Sequence, residues 1–95
     1  MEFQIESRSG TVTVSGDMTV YVAAELKTAL LAEFAAGQTA LDLSQVQEID
    51  TAGLQLLLML NRELQGTLKI RACSPGVRAT LELTHLERLI VAEAA

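Results

Sequence analysis

The segment Asp50-Thr51-Ala52-Gly53-Leu54 brings a carboxylate, a hydroxyl and a glycine together at one point of the chain. An extended, alternating stretch (40–49) precedes it, and an apolar run with helical character (54–64) follows it. Such a junction places Thr51 at a helix N-terminus, where unpaired backbone N–H groups and the positive end of the helix dipole lie. A hydroxyl there can cap the helix, or it can be phosphorylated and act as a switch. The local sequence leaves both functions open.

The chemistry of a switch depends on what surrounds the hydroxyl. If Asp50 is the N-cap, its carboxylate accepts an N–H from the first turn, and Thr51 becomes the first helical residue with a free hydroxyl. A phosphate on Thr51 would add a charge of roughly −1.5 to −2. The helix N-terminus favours that charge, whereas Asp50, and Asp17 if it is near, oppose it. We therefore expect phosphorylation to preserve the fold and to expel a partner that covers the neutral hydroxyl.

The turn that follows the second predicted strand carries apolar residues close to this junction. Met18, Val20 and Tyr21 can form an exposed binding patch, or they can fold inward at the start of the first helix. Gly53 permits close approach, with packing favoured over partner contact, and Leu54 can lie in the core or at an interface. A structure is needed to decide which of these residues are exposed and which are buried.

Catalytic chemistry finds little support in the sequence. The chain has one histidine (His85) and one cysteine (Cys73), and it lacks a phosphate-binding glycine loop and a set of metal ligands. Asp50 and Thr51 are adjacent at a helix start, so their side chains point apart and do not form a base–nucleophile pair. We expect a protein without enzymatic activity, metal or cofactor.

Composition narrows the class of partner. The 95 residues are expected to form a single domain (1–95) with a core of leucine, valine, isoleucine and alanine. The net charge of −5 argues against binding to nucleic acid, which requires a basic surface. The N-terminus lacks the pattern of a signal peptide, and the longest apolar run (56–60) is too short to cross a bilayer. We expect a cytoplasmic protein that is not inserted in a membrane.

Periodicity predicts an α/β fold with a mixed sheet of about five strands and three main helices, in the order β-β-α-β-α-β-α-β. The predicted strands cover 3–6, 11–15, 40–49, 67–72 and 89–91, and the predicted helices cover 22–36 and 54–64 and start again at 74–75. Gly16 is expected to end the second strand, Thr19 to cap the first helix, and Gly37 to stop it. Functional groups gather at the carboxyl ends of strands in such sheets, where Asp50, Thr51 and the turn 16–19 fall.

This order of elements, together with the motif at 50–54, resembles the STAS domain, the family of the bacterial anti-sigma-factor antagonists. Ser15-Gly16, Leu41-Asp42-Leu43-Ser44 and the helix start Ser74-Pro75 match the family at corresponding places. In antagonists the hydroxyl residue after the motif aspartate is phosphorylated by a partner-switching kinase. The resemblance implies that Thr51 is that residue, that the unphosphorylated domain binds an anti-sigma-type serine/threonine kinase, and that a phosphatase resets the switch.

One turn departs from the antagonist pattern. Antagonists usually read Gly-Glu-Leu-Asp after the second strand, whereas this chain reads Gly16-Asp17-Met18-Thr19. Some STAS domains act without phosphorylation, for example as subunits on the ATPase of a lipid-transport ABC system or in chemotaxis-type signalling clusters, and the transporter subunits often carry threonine in the motif. An unphosphorylated adaptor is therefore the alternative. The residues expected to bind the partner are Asp17, Met18, Thr19, Tyr21, Asp50, Thr51, Ala52, Gly53 and Leu54.

Overall fold

The structure is a computed structural model that describes residues 3–86. Seven elements follow one another in the order β-β-α-β-α-β-α. They are β1 (Phe3–Arg8), β2 (Thr11–Met18), α1 (Ala23–Ala35), β3 (Ala40–Ile49), α2 (Thr51–Glu63), β4 (Lys69–Cys73) and α3 (Pro75–Leu83). The predicted α/β class and the order of these elements are confirmed, and the last predicted strand (89–91) lies outside the described residues.

The four strands form one mixed sheet in the order β1-β2-β3-β4. β1 pairs with β2 in antiparallel orientation, whereas the pairs β2–β3 and β3–β4 are parallel. Parallel neighbours require crossover connections, which α1 and α2 provide. The carboxyl ends of β2, β3 and β4 therefore meet at one edge of the sheet.

A two-residue turn joins β1 to β2. Arg8 pairs with Thr11, and the intervening Ser9 and Gly10 both have positive φ values, 53° and 84°. Two positive values in a two-residue loop correspond to a type I′ turn, whose twist matches that of the strands. The turn joins β1 and β2 into a β-hairpin and fixes the register of their pairing.

Strand β2 ends at Met18, three residues beyond the predicted range 11–15. Gly16 adopts a φ of 103°, and the pairing with β3 shifts register between Gly16 and Met18. Over this shift β2 advances by two residues while β3 advances by three, from Val46 to Ile49, so the extra residue of the bulge lies in β3 and the pairing continues beyond it. The prediction that Gly16 terminates β2 is wrong, because glycine tolerates this positive φ inside the strand and the pairing with β3 extends to Met18.

The core lies between the sheet and apolar faces of the helices. Strands β2 and β3 bury alternate residues (Val12 and Val14, Leu41 and Leu43) completely. The helices add a further buried set, which comprises Leu26, Leu30, Phe34, Leu56, Leu57, Leu60, Val77 and Leu81. Full burial of one such side chain contributes about 1.5–3 kcal/mol.

The two ends of α1 test the predictions of helix boundaries. The N-cap is Val22, which provides no side-chain cap, and its N–H donates to the Thr19 carbonyl at 3.1 Å. Thr19 therefore lies one turn too early to cap the helix, and that prediction is wrong. Gly37 follows the C-cap Ala36 with a φ of 109°, as expected of a glycine stop.

Candidate functional site

Asp50 is the residue that organises the candidate site. It is the N-cap of α2, and its Oδ1 accepts the N–H of Gly53 at 3.1 Å. Its Oδ2 accepts the N–H of Val20 at 3.0 Å, so that one carboxylate ties the β2–α1 connection to the start of α2. The hydrogen bond from Val20 is the main reason why the pKa of Asp50 is lowered; desolvation opposes this shift, and the bond from Gly53 supports it.

Thr51 is the first residue of α2, and it is exposed. Asp50 is a poor base for its hydroxyl, because both carboxylate oxygens already accept main-chain N–H groups and the pKa is low. The arrangement therefore offers an accessible hydroxyl at a helix N-terminus, beside a carboxylate that is occupied by main-chain donors. A hydroxyl of this kind can be covered by a partner or modified by another enzyme.

Gly53 lies where the helix touches the end of β2. A Cβ atom at this position would stand 2.4 Å from the Met18 carbonyl oxygen and 2.7 Å from Cγ1 of Ile49. The same carbonyl accepts the N–H of Asp50 at 3.1 Å. Gly53 is also buried, so its role here is to let α2 pack against β2.

The residues around Gly53 differ in their access to solvent. Ala52 and Leu54 are half-buried, and Leu54 packs against the core. Their exposed portions lie in the first turn of α2 with Thr51. A partner at this helix end can therefore reach Ala52 and Leu54 but not Gly53.

The β2–α1 connection divides the predicted apolar patch in two. Met18 is completely buried, because β2 continues as far as this residue and Met18 points to the same face of the strand as the buried Val12 and Val14. The expectation that Met18 lies on the binding surface is wrong for this conformation. Val20 and Tyr21 are 63% and 84% exposed, and we call these two residues the apolar patch.

Asp17 and Thr19 border the site on the side of β3. Asp17 Oδ1 accepts the N–H of Glu48 at 3.2 Å, which joins the ends of β2 and β3. Thr19 is half-buried and contributes to a cleft of about 390 Å³ between the strand ends and α3. The cleft is lined by Thr19, Gln47, Glu48, Ile49, Asp50, Gly76 and Thr80. Its charged groups, Glu48 and Asp50, are both acidic.

Neither the cysteine nor the metal-ligating residue types form a further chemical site among residues 3–86. Burial raises the pKa of the half-buried Cys73 thiol, with the charge of Arg78 opposing, so the thiolate is disfavoured. Within 3–86 no cluster of three histidine, cysteine or acidic residues could hold a metal ion. The helices described are also too short or too polar to span a bilayer.

Sequence reasoning missed two features of this region. One is the hydrogen bond from Val20 to Asp50, which joins residues thirty positions apart and leaves no local signal. The other is the acidic cleft, since Gln47 and Glu48 follow a strand pattern that does not show what lies opposite. The N-cap function of Asp50 was predictable, because the residues that it involves are neighbours in sequence.

Comparison with known proteins identifies the family and the solved structures that this chain resembles. The family model described as "Mlab, STAS domain" matches residues 1–92. An anti-sigma factor antagonist from Mycobacterium paratuberculosis superposes with a TM-score of 0.74 and 30% identity over 93% of this chain and 80% of that one. The anti-sigma factor antagonist SpoIIAA in its unphosphorylated form gives 0.72 and 20% identity over 97% and 88%. A comparison with curated protein sequences gives no match.

A further solved structure adds the modified state of the same relative. The Bacillus cell fate determinant SpoIIAA in its phosphorylated form superposes with a TM-score of 0.65 and 19% identity over 97% of this chain and 91% of that one. At such identity the two SpoIIAA structures show the shared fold, while the family model covers nearly the whole sequence. The chain belongs to the STAS domain family.

Proposed function

We propose that this STAS domain is a regulatory protein-binding module in which phosphorylation of Thr51 controls association with an anti-sigma-type serine/threonine kinase. The observation that carries the proposal is the exposed Thr51 hydroxyl at the start of α2, directly after the cap residue Asp50. The same cap holds Val20 and thereby fixes the apolar patch next to the helix start. An accessible hydroxyl and an apolar patch on one surface suit a partner that covers both.

The unphosphorylated surface fits an ordinary protein interface. Tyr21 is the large exposed side chain here, and tyrosine is among the residues that contribute most to binding when a partner buries it. Thr51 is uncharged, and Asp50 has its charge partly satisfied by two main-chain donors. The rim of this interface is formed by partly exposed residues near the start of α2, among them Thr19 and Ala52.

Phosphorylation would change the charge of this surface sharply. A phosphate adds roughly −1.5 to −2 next to Asp50, and the adjoining cleft contributes only acidic charge through Asp50 and Glu48. The α2 N-terminus stabilises part of the new charge. A partner that packs on the neutral hydroxyl would then face a desolvated, uncompensated dianion, so the complex dissociates.

The similar structures support this cycle without testing it. Two are described as anti-sigma factor antagonists, and SpoIIAA is known in unphosphorylated and phosphorylated forms. The proposed cycle for this chain has three steps: binding to the kinase, phosphorylation of Thr51 with release, and dephosphorylation by a phosphatase. Catalysis belongs to the partners, and the STAS domain contributes the hydroxyl and the surface around it.

The first experiment is intact-mass analysis of the protein purified from its native cells under several growth conditions. We expect a population heavier by one phosphoryl group, with peptide mapping that places it on Thr51. The Thr51→Ala variant should lose the added mass. Thr28→Ala removes another exposed threonine hydroxyl, in α1, and should retain it. Absence of the modified species under all conditions contradicts the switch.

The second experiment measures binding to the anti-sigma-type kinases encoded in the same genome. Wild type, Thr51→Ser and Thr51→Ala should bind, and Thr51→Glu should bind at least about tenfold more weakly, because it places a charge in the covered surface. Thermal unfolding of each variant shows whether weaker binding comes from a changed interface or from an unfolded protein. Equal affinity of folded Thr51→Glu would exclude Thr51 from the interface.

A constitutive adaptor, for example a subunit bound to a transporter ATPase, is the second candidate. It is favoured by Thr19, which lines the acidic cleft at the place where antagonists usually carry aspartate, and by the match to the model described as "Mlab, STAS domain". In this function Thr51 is an uncharged contact that is never modified. Thr51→Ala then remains competent in vivo, and a single partner copurifies under every growth condition.

A further inference from the structure

The outer edge of β1 is a second surface with the features of a binding site. β1 ends the sheet, and among residues 3–86 only β2 pairs with it. The two-residue turn makes Arg8–Thr11 a hydrogen-bonded pair, so in an antiparallel ladder the alternate residues Ile5 and Ser7 direct their main-chain N–H and C=O groups away from β2. These groups are positioned to accept a further strand.

A groove of about 790 Å³ follows this edge. Its lining comes from both faces of β1, since adjacent strand residues point to opposite sides. Phe3 and Ile5, with Ala29 of α1, provide an apolar wall on the side covered by the helix. Ser7, which points to the same side of β1, donates a hydrogen bond from Oγ to a Glu33 carboxylate oxygen of α1. Gln4 and Glu6 lie on the opposite side.

The charge of the groove is negative on both sides. Glu25 lies on the α1 side and Glu6 on the other, and the lining includes no lysine or arginine. Arg8 is the last residue of β1 and does not line the groove. A second copy of this chain at the same edge would bring like charges together, which disfavours self-pairing. An extended segment with basic side chains on both faces would instead complement Glu6 and Glu25.

We infer that the outer edge of β1 is a docking site for an extended, basic segment of a partner protein, which adds to the sheet as a fifth strand next to β1. Main-chain hydrogen bonds to Ile5 and Ser7 supply affinity. The apolar wall receives apolar side chains of the segment, and Glu6 and Glu25 select its basic ones. This surface is independent of Thr51, so it can bind a partner whether or not that residue is modified.

The test uses the intact protein and two end-blocked synthetic peptides, one repeating Lys-Lys-Val-Val and one repeating Glu-Glu-Val-Val, so that each peptide carries charged and apolar side chains on both faces of an extended strand. Binding is followed by two-dimensional NMR and amide hydrogen exchange. We expect the basic peptide to bind, with slowed exchange at the outward-facing N–H groups of Ile5 and Ser7. Those of Gln4 and Glu6, already paired with β2 in this register, should change less. The acidic peptide should not bind.

Charge-reversal variants complete the test. Glu6→Lys combined with Glu25→Lys should weaken binding of the basic peptide by about tenfold. Glu63→Lys, an equally exposed change at the end of α2, should leave it unchanged. Four results would overturn the inference: no binding, equal binding of both peptides, binding without protection of Ile5 and Ser7, or protection without peptide that grows with protein concentration, which would indicate a second copy at the edge.

Discussion

The N-termini of α2 and α3 are built alike but present different surfaces. Each helix follows a parallel strand, and each is capped by a side chain that accepts the N–H three residues later, from Gly53 to Asp50 and from Val77 to Ser74. The caps differ in charge and in their further bonds. Asp50 also accepts the N–H of Val20, whereas the Ser74 hydroxyl donates to the Val46 carbonyl.

The two helix starts also differ in their first helical residue. It is Thr51 in α2 and Pro75 in α3. Proline suits this place because it lacks an N–H that would remain unpaired, but it offers no group for recognition or modification. Capping is thus a general requirement of both helices. The exposed hydroxyl after a charged cap is what distinguishes α2, and it locates the candidate site there.

The largest expected effect comes from adding a methyl group to the glycine of each helix start. Gly53→Ala would place a Cβ 2.4 Å from a main-chain oxygen, and we expect a loss of about 3 kcal/mol in the free energy of unfolding. Gly76→Ala meets the Gln47 carbonyl oxygen at 3.1 Å and gains helix propensity, so it should stay within about 1 kcal/mol of wild type. Urea unfolding of both variants measures the difference, and equal stability would show that α2 can shift away from β2.

The next largest effect is a pH dependence of the stability that the cap provides, which we expect for Asp50 and not for Ser74. The folded pKa of Asp50 is lowered, so its carboxylate stabilises the fold above the unfolded pKa of about 3.9, and this contribution is lost as pH falls through the folded value. The stability difference between wild type and Asp50→Asn should therefore be largest near neutral pH and shrink in acid.

Ser74→Ala is the matched control for the second helix. It removes a neutral cap and should cost about 1 kcal/mol with little dependence on pH. Thermal unfolding of both variants between neutral pH and the acid limit of the native state separates the two caps. A constant difference for Asp50→Asn would show that the ionised carboxylate contributes no more than the amide.

Local patterns predicted this end of the molecule only in part. The caps Asp50 and Ser74 follow from residue types a few positions apart, and so does the exposure of Thr51. The burial of Met18 does not, because it depends on the continuation of β2 past Gly16, which its pairing with the distant β3 determines. Long-range register also brings Val20 to Asp50. The position of Asp50 and Thr51 at a helix start was therefore readable from the sequence, but the surface that surrounds them was not.

A negative charge at the first helical residue should change the free energy of unfolding by a smaller amount, and this change should differ between α2 and α3. At α3 the cap is neutral, so Pro75→Glu should be more stable than Pro75→Gln by about 0.5 kcal/mol through the helix dipole. At α2 the adjacent Asp50 opposes the same charge, so Thr51→Glu and Thr51→Gln should differ by less, or in the opposite sense. Chemical denaturation at low ionic strength measures both pairs. An equal gain at the two helices would mean that Asp50 does not oppose a phosphate on Thr51.

The smallest effect on stability is expected at Tyr21, although it is the more exposed residue of the apolar patch. Because its side chain is 84% exposed, Tyr21→Ala should change the free energy of unfolding by less than about 0.5 kcal/mol. If the partner covers this surface, the same substitution should weaken binding by more than about 1 kcal/mol. Leu83→Ala, an equally exposed position at the end of α3, is the control and should alter neither quantity by more than a few tenths. Unchanged affinity for Tyr21→Ala would restrict the interface to the α2 side of the site, where Thr51 would have to act without the apolar patch.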